Sequence, residues 1–140
     1  MVAVDRKFDL ELVSPERLVL SEPVDMAVIP GSEGDFGVLA GHSLLISTLR
    51  PGIIEVYQGE TVTHRLFVGG GFAEVTDARC TVLADEAVPV TDINAAAVQT
   101  EIEQLQREIA DPDSDEALRR LTARLAIAEA KLAAAGRHVS

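Results

Sequence analysis

Residues 44–83, LLISTLRPGIIEVYQGETVTHRLFVGGGFAEVTDARCTVL, carry the pattern that decides the fold of the N-terminal part of the chain. Short apolar runs rich in Val, Ile, Leu, Phe and Thr alternate there with turn signals. Gln58-Gly59 and Asp77-Ala78 are the expected hairpin tips. Many short strands at this spacing are typical of an antiparallel sandwich or barrel. The sequence therefore predicts an all-β antiparallel sandwich, which begins with the alternating apolar residues from Phe8 to Leu12.

The period of the apolar residues changes near residue 90, after Pro89. From there the apolar side chains recur at the spacing of one face of an α-helix. Two such stripes are separated by Ala110–Asp115, where Pro112 cannot continue a helix interior. The first stripe contains Val98, Ile102, Leu105 and Ile109, and the second contains Leu118, Leu121, Leu125, Ala128 and Leu132. The sequence therefore predicts a β-sandwich domain over residues 1–90 and an antiparallel two-helix hairpin over residues 91–140.

Side chains near the helix ends predict where the helices begin and end. Asp92 is the expected N-cap of the first helix. Asp113 and Glu116 have the spacing of a capping box for the second helix, and Gly136 marks its end. Because a lone hairpin of this size buries little surface, we expect it to be mobile.

Composition and charge exclude several classes of protein. The chain has 23 acidic and 12 basic residues, a formal net charge of −11, and this balance argues strongly against nucleic-acid binding, which needs clustered positive charge. No apolar run approaches the ~20 residues that span a bilayer, and Met1–Asp9 does not resemble a signal peptide. We therefore expect a cytosolic protein, or one docked to something in a membrane. The single cysteine, Cys80, lies in an apolar run and is expected to be buried and unreactive.

Two glycine-rich segments stand out, at Ile29–His42 and at Gly69–Gly71. The first lacks the Lys and Ser/Thr of a phosphate loop, and Glu33 and Asp35 would repel an anion. These two acids are expected to be solvated or to face a partner. The second segment is predicted to be a strand bend or bulge. The histidines have no metal-ligand spacing, and His42 is expected to bond the backbone or touch a partner. The sequence predicts no catalytic site, no metal site and no cofactor.

Four segments in register resemble the ε subunit of bacterial F-type ATP synthases. They are Val28–His42, Leu49–Gly52, Phe67–Val75 and Val82–Ala87. The resemblance covers residues 6 to 90, and the helical hairpin completes the layout of the family. It implies a ten-stranded sandwich followed by two helices. It also implies a non-catalytic rotor subunit in the central stalk, which couples rotation of the γ subunit to the c-ring during proton-driven ATP synthesis.

The resemblance also implies partners and a location. The partners would be γ, the c-ring and, through the hairpin, the β and α subunits of the catalytic head. The chain would lie peripherally on the cytoplasmic face of the bacterial inner membrane and would touch the membrane only through the c-ring. The c-ring contact would be made by the loop that contains Gly31, Ser32, Glu33, Gly34, Asp35, Phe36 and His42.

The chain departs from the family at Ala40, at Ser43 and at the start of the first helix. Some bacterial relatives bind ATP there with an Ile/Leu-Asp-x-x-Arg-Ala motif. The matching positions here are Ile93, Asn94 and Ala97, so the acid and the cation of the motif are both missing. Without a fixed cation to pair with phosphate, this position is not expected to bind nucleotide.

The second predicted helix carries a basic stripe of Arg120, Arg124 and Lys131. In relatives, basic residues on this helix face the β subunit in an inhibited state, so these three are candidates for inhibitory docking to the catalytic head. A solvated helix face is the alternative interpretation. For the chain as a whole, the alternatives are a small hydrolase or a stand-alone ligand-binding β-sandwich.

Overall fold

The structure is a computed structural model that describes residues 6–136. Ten strands are followed by a 3-10 turn and two helices. The strands are β1 (Phe8–Ser14), β2 (Arg17–Val24), β3 (Met26–Gly31), β4 (Gly34–Val38), β5 (Leu45–Leu49), β6 (Gly52–Gln58), β7 (Thr61–Val68), β8 (Gly71–Val75), β9 (Arg79–Ala84) and β10 (Ala87–Pro89). The 3-10 turn is Val90–Asp92, and the helices are α1 (Ala95–Ala110) and α2 (Asp115–Ala135). The chain divides into two compact units, one up to residue 89 and one from residue 90 onward.

The strands form one ten-stranded sheet in the order β10-β7-β6-β3-β5-β8-β9-β1-β2, and β4 pairs with β3. The predicted sandwich is confirmed, as is the hairpin tip at Asp77-Ala78. The other tip lies at Gly59-Glu60, one residue later than predicted, because Gln58 still pairs with Thr61. One pair departs from the antiparallel prediction, because β1 lies parallel to β9. A parallel neighbour needs a long connection, which the intervening strands provide.

The core of the sandwich follows from strand alternation. In β1, Phe8, Leu10 and Leu12 are buried while Asp9 is exposed, as a period of two requires. The other strands contribute inward-facing Val, Ile, Leu and Ala side chains to the same apolar cluster. Cys80 belongs to this cluster and is fully buried, which confirms its predicted role as a small core residue.

The triple glycine lies where the chain passes from β7 to β8. β7 pairs with β6 and β10, whereas β8 pairs with β5 and β9, so the chain changes neighbours at this point. Gly70 and Gly71 have φ angles of +119° and +123°, which side-chain-bearing residues rarely adopt. The predicted bend is confirmed, but it connects two strands and is not a bulge inside one.

The helical hairpin has an apolar seam between its two helices. Val98, Ile102 and Leu105 of α1 are buried with Leu121 and Ala128 of α2. The predicted hairpin is therefore confirmed, with Gly136 as the C-cap of α2.

Both predicted N-caps are wrong. Asp92 lies inside the 3-10 turn, and the side chain of Asn94 accepts the hydrogen bond from the Ala97 N–H at 3.1 Å. For α2, Ser114 is the cap and accepts from the Ala117 N–H at 3.0 Å, in place of Asp113. In each case the cap is the polar residue nearest the first helical turn, because its short side chain must reach a backbone N–H three residues on.

Candidate functional site

The glycine-rich loop begins as a tight hairpin between β3 and β4. Gly31 pairs with Gly34 and leaves Ser32 and Glu33 at the tip. Gly34 has a φ of +132°. A Cβ atom at Gly31 would lie 2.8 Å from the Gly34 carbonyl oxygen and 2.9 Å from the Phe36 ring. Glycine at residue 31 therefore lets the ring lie against the backbone and keeps the hairpin compact.

The two acids of the loop have different environments. The Asp35 carboxylate forms an ion pair with the Arg50 guanidinium, which also donates to the Gly31 carbonyl at 2.5 Å. Arg50 therefore holds the hairpin against the end of β5. It also compensates the charge of Asp35, which the sequence analysis expected to be solvated or to face a partner. Glu33 is exposed and has no ion pair within the described residues. Of the two acids, Glu33 is the one whose charge faces outward uncompensated.

Phe36 and His42 are partly engaged within the chain. The Phe36 ring is half-buried and packs against the core of the sandwich. His42 lies within hydrogen-bond distance of its neighbour's backbone, with 2.7 Å between Nδ1 and the Ser43 carbonyl oxygen. This is one of the two alternatives predicted for His42, which were a backbone bond and a contact with a partner. Just before it, the Gly41 N–H donates to the Asp77 carbonyl at 2.7 Å and anchors the loop to the turn between β8 and β9.

A row of apolar side chains crosses the outer face of β8, β9, β1 and β2. Phe72 pairs with Leu83, Leu83 with Val13, and Val13 with Leu18. Phe72, Leu83 and Leu18 are 44%, 41% and 56% exposed. We call these four residues the apolar row. Neighbouring strands lie ~4.8 Å apart, so the apolar row extends for about 14 Å. An exposed apolar strip that crosses several strands is typical of a surface that contacts another protein.

Sequence reasoning missed the apolar row, although the sequence contains a signal for it. Apolar residues occupy consecutive positions in Leu18–Leu20 and Val82–Leu83, so both faces of these strands carry them. Continuous apolar runs in short strands indicate that both faces are covered. The pairing register that aligns the four side chains is visible only in the structure.

The basic residues of α2 lie beside acidic residues of α1. Arg124 forms an ion pair with Glu101 at 3.4 Å. Arg120 and Arg124 share an open cleft of about 350 Å³ with Glu101, Gln104 and Glu108. Lys131 is half-buried and is also engaged within the chain. The basic stripe predicted from the sequence is present on α2, but part of its positive charge is compensated by acidic residues of α1.

The position of the nucleotide motif is occupied by the cap of α1. The Asn94 side-chain oxygen accepts from the Ala97 N–H, and Ala97 has no polar side-chain atom. The same segment in this chain therefore serves to start a helix.

Other candidate chemistry within residues 6–136 is limited. Burial raises the pKa of the Cys80 thiol to about 12, so the thiolate is scarce at neutral pH. No three His, Cys, Asp or Glu side chains in this part of the chain gather as metal ligands would. Neither α1 nor α2 combines the length and the apolar character that crossing a membrane requires.

Comparisons with known proteins identify the class. Residues 7–90 match the family model of the β-sandwich domain of ATP synthase delta/epsilon chains. The ATP synthase epsilon chain of Rhodospirillum centenum is 51% identical over 131 residues, with 90% of each chain covered. That of Rhodospirillum rubrum is 48% identical over 126 residues, covering 90% of this chain and 94% of the relative. The chain therefore belongs to the ATP synthase epsilon chain family, which confirms the resemblance, and is a subunit of that complex.

Solved structures agree with this assignment. One is a chain from the cryo-EM structure of the Euglena gracilis mitochondrial ATP synthase, OSCP/F1/c-ring in rotational state 1. It matches with a TM-score of 0.80 at 30% identity, covering 95% of this chain and 84% of that chain. A chain from the central stalk/c-ring structure of the Tetrahymena thermophila mitochondrial ATP synthase shares the fold, with a TM-score of 0.69 at 15% identity. The match covers 95% of this chain and 99% of the Tetrahymena thermophila chain.

Proposed function

We propose that the chain is a non-catalytic rotor subunit that couples rotation of γ to the c-ring of a proton-translocating F-type ATP synthase. It lies in the central stalk, peripherally at the cytoplasmic face of the bacterial inner membrane. Membership in the epsilon chain family supports this role. So does the likeness to a chain of the Euglena gracilis enzyme, whose structure contains F1 and the c-ring.

The apolar row is the observation that carries the proposal, because it favours a protein–protein contact over a small-molecule site. Phe72, Leu83 and Leu18 are exposed large side chains on a rigid sheet, and aromatic and aliphatic anchors of this kind dominate the energy of interfaces. We assign the apolar row to the contact with γ, the subunit that must rotate with this chain. The alternatives of a small hydrolase or a stand-alone ligand-binding sandwich do not account for such a flat apolar surface.

The γ contact is tested by placing a charge in the apolar row. Leu83→Glu should weaken binding of the full chain to purified γ about thirtyfold or more, because it buries a carboxylate at the centre of the contact. Leu39→Glu is the matched control, since Leu39 is 43% exposed, close to the 41% of Leu83, and lies outside the apolar row. Equal affinity of both variants and the original chain would contradict the assignment.

We assign the loop from Gly31 to His42 to the c-ring contact, with Glu33 as its outward charge. An exposed pair of Glu33 with a basic group of the ring would contribute ~1 kcal/mol or less. Glu33→Arg should therefore reduce coupling between proton transport and ATP synthesis without preventing assembly.

Asp35→Arg is the informative comparison, because it also breaks the pair with Arg50. Combining it with Arg50→Asp restores an internal pair of reversed polarity. If Glu33→Arg leaves proton pumping by inverted membrane vesicles unchanged, the c-ring contact of this loop is refuted.

A second candidate function is inhibition of ATP hydrolysis by the hairpin. Arg120, Arg124 and Lys131 are the residues that would dock to the β and α subunits of the head, and α2 would first have to leave its contacts with α1. Deleting residues 91–140 should then raise ATP hydrolysis by membranes. Changing the three basic residues to alanine should reproduce part of that rise. Unchanged hydrolysis in the deletion variant would leave coupling as the only function.

ATP is not proposed as the ligand that holds the hairpin closed, because Asn94 and Ala97 leave the motif without its acid and its cation. Titration of the chain with ATP should produce no saturable change in the NMR signals of residues 93–97. A saturable shift at these residues would contradict this assignment.

A further inference from the structure

Strand β5 has an open backbone edge along part of its length. On one side it pairs with β8 from Leu45 to Leu49. On the other side, its only strand neighbour within residues 6–136 is β3, and the pairing there is confined to Gly31 opposite Leu49. The beginning of β5 therefore has a strand on one side only, within the part of the chain that the structure describes.

Two hydrogen bonds determine which backbone atoms face the open side. The Ser32 N–H donates to the Thr48 carbonyl at 2.9 Å, and the Arg50 N–H donates to the Pro30 carbonyl at 3.0 Å. Thr48 and Arg50 therefore direct their backbone groups toward β3. Because alternate residues of a strand point to the same side, Ile46 directs its N–H and carbonyl there as well. Among the strands of residues 6–136, none pairs with the Ile46 N–H, the Ile46 carbonyl or the Thr48 N–H.

The residues that carry these atoms line an open cleft of about 580 Å³. Its lining includes Leu45–Thr48 on one side and Ser32–Phe36 of the β3–β4 hairpin on the other. The hairpin is held in place by a 2.7 Å hydrogen bond between the Ser32 and Thr48 hydroxyls and by the Arg50 contacts. The cleft is therefore formed before any partner arrives, which lowers the entropy cost of binding.

The side chains around this edge are apolar and acidic. Ile46 and Leu44 are 67% and 73% exposed. Glu74 lies directly across from Ile46 on β8, and Glu33 lies at the hairpin tip. Both acids are exposed and form no ion pair within residues 6–136. Arg50, at the other end of β5, is already paired with Asp35.

We propose that the open edge of β5 binds an extended segment of another polypeptide, which adds to the sheet as a further strand. On the face that it shares with Ile46 and Glu74, the segment carries aliphatic residues beside Ile46 and, two positions along on the same face, Lys or Arg that pair with Glu33 and Glu74. The backbone groups supply affinity and the side chains supply specificity, as in other cases of strand addition. A second copy of this chain is disfavoured, because two chains with a net charge of −11 would bring like charges together.

The test uses the full chain, labelled with ¹⁵N, and as the probe the peptide acetyl-Thr-Lys-Thr-Val-Thr-Val-Thr-Lys-Thr-amide, whose Lys and Val side chains share one face of a strand. At saturation, hydrogen exchange at the Ile46 and Thr48 amides should slow about tenfold or more, because both N–H groups gain a partner. The same peptide with N-methylated valines has the same charge but cannot form the ladder, and it should bind at least about fivefold more weakly. Equal binding of the two peptides, or unchanged exchange at Ile46 and Thr48, would overturn the proposal.

A pair of variants provides an independent check. Ile46→Pro removes an N–H that makes no bond to β8, so the sheet should form while probe affinity falls about fivefold. Ile46→Thr keeps the N–H and a β-branched side chain and should retain most of the binding. If Ile46→Pro does not fold, the N-methylated peptide still decides the question.

This inference does not rest on the proposed coupling function. The assay uses the isolated chain, so its failure would leave the contacts with γ and the c-ring untouched. Conversely, Glu33→Arg affects both the loop contact and the open edge, whereas Ile46→Pro affects only the edge.

Discussion

Gly71→Ala should be among the most damaging single changes in the sandwich. Gly71 has a φ of +123°, and a Cβ atom there would lie 2.1 Å from the Leu83 carbonyl oxygen and 2.9 Å from the Ala84 Cα. All of the obstructing atoms belong to the backbone of β9, so no side-chain rotation relieves the overlap. The substitution therefore combines a strained φ with a displacement of β9 relative to β8.

The magnitude follows from these two contributions. The unfavourable φ costs about 1–2 kcal/mol, and overpacking against an ordered core costs about 1–3 kcal/mol, toward the upper end because backbone must move. We expect the free energy of unfolding to fall by about 3–5 kcal/mol, out of the ~5–15 kcal/mol typical of a domain. With a urea dependence of about 2 kcal/mol per molar, the midpoint shifts by about 2 M.

The assay is urea unfolding followed by the fluorescence of Tyr57. The chain has one tyrosine and no tryptophan, and Tyr57 lies in β6, so the signal reports the sandwich and not the hairpin. Two matched variants separate the contributions. Gly34 has a φ of +132° but open space around its Cβ position, and Gly37 has open space without a positive φ. Gly34→Ala should therefore show the strain alone, and Gly37→Ala should be neutral or slightly stabilising.

The reasoning fails if Gly71→Ala and Gly34→Ala destabilise the sandwich equally, because the overlap with β9 would then contribute nothing. It also fails if Gly71→Ala unfolds at the same urea concentration as Gly37→Ala. Either result would mean that the chain can leave β7 and enter β8 by a path that accommodates a side chain.

Three further predictions concern pH, capping and the buried thiol. A hydrogen bond from the Gly59 N–H and, to a lesser degree, one from the Lys7 side chain lower the pKa of Asp25 below its ordinary value of 3.8. The stability that these bonds contribute is therefore present above pH 3.8 and is lost as the pH falls through the folded-state pKa. Asp25→Asn should make stability, measured by urea unfolding, less steep in pH as the pH falls below 3.8. Ser114→Ala removes the cap of α2 and should destabilise the hairpin by ~1 kcal/mol, measured by thermal circular dichroism at the helix band. Ser114→Asp should retain most of the stability that the cap contributes, because Asp is also a good N-cap residue. Cys80 should resist an aromatic disulfide reagent in the native chain and react fully in denaturant, and rapid native labelling would show that the core around β9 opens readily.

Much of the fold could be predicted because it depends on local patterns. A period of two with regularly spaced turns indicated the sandwich, and a period of 3.6 interrupted by Pro112 indicated the hairpin. The N-cap of α1 was predicted two residues too early, at Asp92, and that of α2 one residue too early, at Asp113. Neighbouring Asp, Asn and Ser residues have similar N-cap preferences, so the sequence alone does not distinguish them. At α1, which of them caps depends on where the 3-10 turn Val90–Asp92 ends, and that is determined by packing.

The sequence by itself determined the order of strands and helices, the burial of Cys80, the tight glycine turns and the absence of a cation at the ATP motif. Only the tertiary structure decided which surfaces result. The register of four strands, distant in sequence, aligns Leu18, Val13, Leu83 and Phe72 in one row. The ion pair of Asp35 with Arg50 and the open edge at Ile46 likewise depend on how β3 diverges from β5. The physical reason is that local propensities act over a few residues, whereas pairing between strands depends on a core that every strand fills together.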